Sequence, residues 1–427
     1  MEPTIYLHLM PKFDYNELLN SLLDMPSLDG FEEGRAAATH FIDHFTEKPA
    51  LLSDGQYYDM CDQIDYNRPQ PNMLCEGDPY QMQLKLTGRD IPFPAPKRPK
   101  FKFIDLFAGI GGFRIAMQSV GGKCVFSSEW DTAAKKTYEA NYGDYPYGDI
   151  TQIQSNEIPE HDILCAGFPC QAFSIAGKRG GFDDTRGTLF FDVARIIKEK
   201  QPSVVFLENV KGLKSHKSGK TLATILATLR DDLGYFVPDP EVLNAKHFGV
   251  PQNRERILIV GFHPSTKINS FEYPKAPNNP VSFSDVKEKQ EVSVKYYMST
   301  TYLATLRAHR ARHAAKGNGF GYEIIPDEGV SNAVVCGGMG RERNLVIDDR
   351  ITCFEPITKI KGVVNREGIR RMTPREWARL QGYPDEFKIE VADASAYKQF
   401  GNSVAVPVIK AMSKKIVNLV LKKNEYP

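Results

Sequence analysis

Phe103-Ile104-Asp105-Leu106-Phe107-Ala108-Gly109-Ile110-Gly111-Gly112-Phe113 is a short apolar run that breaks into a glycine-rich turn. An apolar run of this length bounded by glycine reads as a buried strand. Glycine lets the backbone turn sharply and approach a ligand closely. The stretch therefore reads as strand, ligand-holding turn and helix start. The same rhythm continues downstream: strand-like runs lie at 103–107, 123–127, 162–166, 203–207 and 256–261, with helical segments such as 191–200 and 220–233 between them. Strand alternating with helix predicts an α/β fold, a doubly wound, Rossmann-like and mostly parallel sheet. Ligands of such sheets bind at the carboxyl ends of the strands.

Two chemistry-bearing residues fall at such ends. Cys165-Ala166-Gly167-Phe168-Pro169-Cys170-Gln171 closes the third run, and Glu208-Asn209-Val210 closes the fourth. Cys170 opens a polar, glycine-rich stretch, where a thiol can reach substrate. Cys124 and Cys165 lie within strands and read as small buried hydrophobes. Desolvation at the end of a buried strand raises the pKa of Glu208 and keeps it available as an acid; the alternative is a strand-end ion pair. Glu129, in Ser128-Glu129-Trp130-Asp131, follows the glycine turn at the distance where a ribose-binding acid is expected. In Gln252-Asn253-Arg254-Glu255-Arg256, strand alternation puts Arg254 and Arg256 on one face, either toward a site or as paired surface arginines. The seven cysteines form no CxxC pair and no zinc spacing, so neither a metal site nor a disulfide framework is expected.

The net charge of +1 hides an asymmetry. Residues 1–96 hold 16 Asp/Glu and 6 Lys/Arg, and the remainder holds 37 and 48. A basic body suits a polyanion such as DNA. No run is long and apolar enough for a membrane span, and no signal peptide is legible at the N-terminus. Four regions are expected: an acidic, helical extension with a proline-rich linker (1–97), a catalytic cofactor-binding domain (98–263), a small irregular inserted domain (264–366), and a segment returning to the catalytic domain (367–427). Helices are expected in the extension at 14–25 and 32–45, and at the chain's end over 406–421.

Taken together and in this order, the motifs resemble those of bacterial DNA (cytosine-5) methyltransferases of restriction–modification systems, over 101–263 and 367–427. The resemblance makes 264–366 the target-recognition region. It implies S-adenosylmethionine as methyl donor and S-adenosylhomocysteine as product. Phe107, Gly109, Gly111, Gly112 and Pro169 then border the cofactor, Glu129 takes the ribose hydroxyls, Trp130 the adenine face, and Asp149 and Ile150 the adenine. Trp130 could alternatively be core packing. Asn402 and Val404 match the segment that returns to the cofactor pocket. Cys170 is the implied nucleophile toward C6 of cytosine, Glu208 the acid at N3, and Arg256, with Arg254 beside it, points at the cytosine O2 and the nucleophile loop.

A cytosine inside a duplex must be flipped out to reach such a pocket. Lys178, Arg179 and Arg186 suit a loop closing on DNA, while Arg310 and Arg312 suit phosphate contacts. Arg341 and Arg343 suit base reading, since arginine pairs bidentately with guanine. Two departures stand out: Ala176 where many relatives have serine, and Ala333-Val334 where many have Thr-Leu. The 336–344 loop resembles that of enzymes for interrupted GG–CC sites such as GGNNCC. Arg371, Arg375 and Glu376 read as structural. The implied setting is a monomer in the bacterial cytoplasm, acting on double-stranded DNA and paired functionally with a restriction endonuclease. The competing readings are a methyltransferase of RNA and a DNA-binding regulator on the same scaffold.

Overall fold

In the computed structural model the described residues are 15–60, 90–169 and 189–424, less 29, 45–48, 54, 58, 278–279, 320, 338–339 and 356–361. The elements are α1 (Tyr15–Leu23), α2 (Gly34–His44), β1 (Phe101–Leu106), α3 (Gly112–Gln118), β2 (Gly122–Ser128), α4 (Thr132–Tyr142), β3 (Ile163–Ala166), α5 (Leu189–Lys200), β4 (Val204–Val210), α6 (Lys220–Ala227), β5 (Glu241–Asn244), β6 (Gln252–Asn253) and β7 (Glu255–Phe262). They continue with α7 (Thr300–Ala315), β8 (Glu323–Ile325), β9 (Ser331–Asn332), α8 (Gly340–Arg343), β10 (Asn344–Ile347), β11 (Ile369–Arg371), α9 (Pro374–Leu380), α10 (Asp393–Asn402) and α11 (Val406–Asn424). All five expected strands are present. The helix expected over 220–233 ends at Ala227 and passes into a π turn, Thr228–Asp232.

The main sheet has six strands in the order β2-β1-β3-β4-β7-β5. The chain goes from β1 outward to β2, then returns to the other side of β1 for β3. That reversal is the topological switch point, where the crevice for a ligand opens. β1 is parallel to both β2 and β3, while β5 and β7 are antiparallel. Burial on both faces explains the unbroken apolar runs: every residue of β3, and all of β4 except Val210, is buried.

The chain divides into two units, Met1–Phe206 with Thr228–Tyr235, and Leu207–Ala227 with Phe236–Pro427. The division passes through β4, so it coincides with none of the boundaries expected from sequence, and the acidic extension belongs with the first unit. Within the first unit, α1 and α2 share a small core of Leu18, Leu19, Leu22, Ala38, Phe41 and Ile42. Within the second, the region expected to be irregular contains a three-stranded sheet, β11-β10-β8. β11 lies beyond the expected boundary at 366 yet pairs antiparallel with β10. Arg370 on that strand is fully buried and ion-paired with Asp348 and with Glu376 of α9. This fits the structural reading of the 370–376 motif.

Candidate active site

Because β1 and β2 are parallel neighbours with Leu106 opposite Ser128, the turns that follow them emerge side by side. The Ala108 amide donates to the Ser128 carbonyl at 2.9 Å. Glu129 then ties the two turns together: Oε2 accepts from the Gly109 amide at 2.8 Å and Oε1 from the Asp131 amide at 2.8 Å. Asp131 itself caps α4, accepting from Ala133 and Ala134. Burial raises the Glu129 pKa, and the amides of Asp131 and Gly109 oppose the rise. Each carboxylate oxygen keeps a further lone pair.

Phe107, Gly109 and Gly111 all have positive φ, at 56°, 56° and 80°. Gly111 is also demanded by packing: a Cβ there would lie 2.3 Å from the Tyr142 ring. Gly109 differs, since a Cβ would meet nothing within 4 Å. Trp130 is 82% exposed, which removes the core-packing alternative. Asp149 accepts from the Thr151 amide, and Ile150 beside it is buried. An open glycine face, an uncovered indole and an orientated carboxylate suit a nucleoside with free ribose hydroxyls.

Glu208, the acid expected from sequence, lies in the second unit. Glu208 is 8% exposed, and Arg256 Nε lies 3.0 Å from its Oε1. Burial raises its pKa, opposed by the charges of Arg256 and Arg254. Both arginines line one pocket with Glu208, together with Leu243, Leu258 and Ala405, so the surface-pair alternative fails. Their duties differ, however. Arg254 is 2% exposed and donates to the carbonyls of Val334, Gly401 and Ser403. It clasps these segments through its two terminal nitrogens, while its buried Nε has no hydrogen-bond partner among the described residues. Asn402, exposed at the end of α10, accepts from the Cys336 thiol, and Val404 is buried.

Cys170, Lys178, Arg179 and Arg186 lie outside the described residues. The segment leading to Cys170 is described as far as Pro169, which is exposed after the buried β3. Cys124 and Cys165 are buried, as expected, and burial raises both thiols, Cys124 to about 12. Neither is a nucleophile. Among the described residues no cluster could hold a metal ion.

The family model for C-5 cytosine-specific DNA methylase matches residues 101–418. The chain is 71% identical over 322 residues to the type II methyltransferase M.HpaII of Haemophilus parainfluenzae, covering 75% of this chain and 90% of that protein. The chain belongs to the C-5 cytosine-specific DNA methylase family. It is likewise 45% identical over 330 residues to M.SsoII of Shigella sonnei, covering 77% of this chain and 83% of that one. Among solved structures, Dnmt2 of S. pombe superposes with a TM-score of 0.55 at 16% identity, covering 76% of this chain and 99% of that one. The Entamoeba histolytica methyltransferase EhMeth gives 0.56 at 18%, covering 75% and 98%. These distant structures share the fold. The protein is thus a DNA (cytosine-5-)-methyltransferase of the type II restriction–modification class, dependent on S-adenosylmethionine.

In this methylase the basic residues expected at DNA are placed unequally. α7 is exposed on most of its surface, with Leu303 and Leu306 buried. Arg310 and Arg312 are both exposed, Arg310 with its guanidinium over the Tyr322 ring at 5.4 Å. Arg341 lies over the Tyr397 ring at 5.8 Å, and Arg343 is exposed. Arg343 is therefore better placed than Arg341 to reach a partner. Sequence reasoning missed Asp105: it is 1% exposed, and both carboxyl oxygens are sealed from water. An acid inside the apolar run of β1 was the available signal. Also missed was the buried Arg114–Asp144 pair, with the guanidinium over the rings of Tyr138 and Tyr142.

Proposed function

We propose that the enzyme methylates a flipped-out cytosine in duplex DNA through a covalent intermediate on Cys170. The Cys170 thiolate attacks C6, forming a C–S bond, and the electrons of the C5–C6 double bond move into the ring toward N3. Glu208, in its acid form, supplies a proton to N3 and offsets that charge. Arg256 holds the carboxyl and faces the cytosine O2. S-adenosylmethionine, when bound, supplies an electrophilic methyl group to the nucleophilic C5. Loss of the C5 proton to water restores the double bond, the C–S bond breaks, and the N3 proton returns to Glu208.

Glu129 holds the ribose hydroxyls, Trp130 covers the adenine, and Asp149 with Ile150 borders it. Phe107, Gly109, Gly111, Gly112 and Pro169 shape that pocket, and Asn402 and Val404 return to it. Residues 264–366 recognise the target, with Arg310, Arg312, Arg341 and Arg343 toward DNA and Lys178, Arg179 and Arg186 on the closing loop. The enzyme works as a monomer in a bacterial cytoplasm and protects DNA from a partner endonuclease. The observation that carries this reading is Glu208: a desolvated carboxyl at a strand end, held by Arg256 in a pocket. The RNA reading is less favoured because the family model describes a DNA methylase.

The test is trapping. Duplex containing 5-fluorocytosine at the target leaves no removable C5 proton, so wild type should form a stable adduct. Cys170→Ser should not, while still binding S-adenosylmethionine. An adduct on the serine protein removes Cys170 as the nucleophile. Bisulfite sequencing of DNA from an expressing host reads the target and tests the interrupted GG–CC expectation; labelled tRNA in a parallel assay tests the RNA alternative.

A further inference from the structure

The acidic extension lies outside the residues matched by the family model, yet it bonds to the turn between α4 and the 3-10 turn Ile150–Gln152 at four points. Glu33 Oε1 accepts from the Gly148 amide at 2.8 Å. Arg35 pairs with Glu139 of α4 at 3.0 Å and lies over the Tyr145 ring at 5.3 Å. Thr39 Oγ1 accepts from the Tyr145 amide at 2.9 Å. Tyr147 donates its hydroxyl to the Ala50 carbonyl at 3.1 Å. The turn so held is joined in its own right to the ribose-binding end of β2: Tyr147 N donates to Ser127 O at 2.9 Å, and Glu129 N donates to Tyr147 O at 2.8 Å. Asp149 follows Gly148 directly.

We infer that the extension is an intramolecular brace for the cofactor pocket and that Glu33 is a positioning residue for S-adenosylmethionine. The inference rests on the reading that Glu129, Asp149 and Ile150 border the cofactor. Glu33 acts at one point in that chain of bonds. By fixing the Gly148 amide it sets the direction in which Asp149 and Ile150 leave the turn. Gly148 is fitted to it: a Cβ at that position would lie 2.4 Å from Glu33 Oε1. Burial raises the pKa of the Glu33 carboxyl, and the positive charge of Lys135 and the Gly148 amide oppose the rise. A hydrogen bond to a charged acceptor is stronger than a neutral one, and a pocket held ready loses less affinity to ordering on binding.

The experiment uses the full chain and measures the dissociation constant for S-adenosylmethionine by calorimetry, alongside kcat at saturating cofactor and the thermal midpoint. Glu33→Ala should weaken S-adenosylmethionine threefold to tenfold and leave kcat within twofold. Glu33→Gln, whose amide oxygen can still accept from Gly148, should bind within twofold of wild type. Gly148→Ala should weaken binding like Glu33→Ala by displacing the same side chain, and the double variant should be no worse than either single one. Asp149→Ala is the control for the underlying reading. Unchanged cofactor affinity in Glu33→Ala with loss in Asp149→Ala overturns the brace alone. Unchanged affinity in Asp149→Ala overturns the adenine assignment, and the brace with it. A Glu33→Ala protein that loses kcat, DNA affinity and cofactor affinity in equal measure, without rescue by Glu33→Gln, shows a merely structural contact and also overturns the proposal.

Discussion

Two buried carboxyls carry different consequences. Glu208 is desolvated but paired, and its pKa is raised. In the proposed role of proton source at N3 it acts in its protonated form. Single-turnover methylation should therefore fall as pH rises through that raised value. Glu208→Gln should lose both the rate and this limb of the profile while retaining DNA binding; a rate within threefold of wild type would falsify the acid role. Asp105 is desolvated, and burial holds its pKa well above the ordinary carboxylate range against the charge and the nearby backbone amide of Arg114. Its folded state keeps the proton that the unfolded chain releases, so rising pH favours unfolding. The asparagine variant has no such proton. The urea midpoint of wild type should drop relative to Asp105→Asn as pH rises from about 4, the unfolded carboxyl value; parallel curves would show that Asp105 does not titrate this way.

Elements place these residues by simple means. β1 and β2 end in register, so two turns meet and Glu129 can bond to both. α3 is preceded by Gly111 at its N-cap, whose left-handed φ would strain most other residues and whose missing Cβ makes room for Tyr142. Tyr142 in turn donates to the Gly111 carbonyl at 2.8 Å. Gly111→Ala should destabilise the chain by about 1–3 kcal/mol through overpacking and weaken S-adenosylmethionine as the turn shifts. Chemical denaturation and cofactor titration measure the two effects. A normal midpoint with normal affinity would show that the turn adapts. At this level the sequence was a good guide: the strand ends and the glycine turn follow from local residue patterns. The extent of α6 was less legible, because the π turn after Ala227 has the same apolar spacing as a continuing helix.

Across the molecule, long-range polar contacts hold the segments of each unit. Arg370, fully buried, joins β11 to Asp348 and to Glu376, whose carboxylate also accepts from the Thr373 amide and caps α9. Removing one partner of a buried charge set leaves the others uncompensated, so Arg370→Ala should cost about 3–5 kcal/mol. A loss under about 1 kcal/mol in urea titration would mean that Asp348 and Glu376 find other partners. For DNA, Arg343 is the more exposed of the two loop arginines. Arg343→Ala should reduce binding by about 1–3 kcal/mol if it reads a base, and discrimination at one position should relax. If it meets phosphate, all sequences weaken alike and the salt slope drops by about one unit. Binding to the target and to its single-base variants at several salt concentrations separates these. No change in either quantity removes Arg343 from the interface.

The amino-acid order alone sufficed for the five expected strands of the main sheet, the glycine turn after β1, the carboxyl at the end of β4 and the methyl-transfer class of the enzyme. Those features reside in short windows, where apolar periodicity, glycine and motif spacing act directly on the backbone. Other features appeared only in three dimensions. Arg254 and Arg256 look equivalent at alternate positions of one strand, but Arg254 is taken up by carbonyls some 80 to 149 residues away. Glu33 is one acid among many in an acidic segment until it meets an amide 115 residues on. Asp105 is one acid in an apolar run until packing seals it from water. A side chain's partners at such separations depend on how distant segments pack, and that packing leaves no periodic trace around the residue itself.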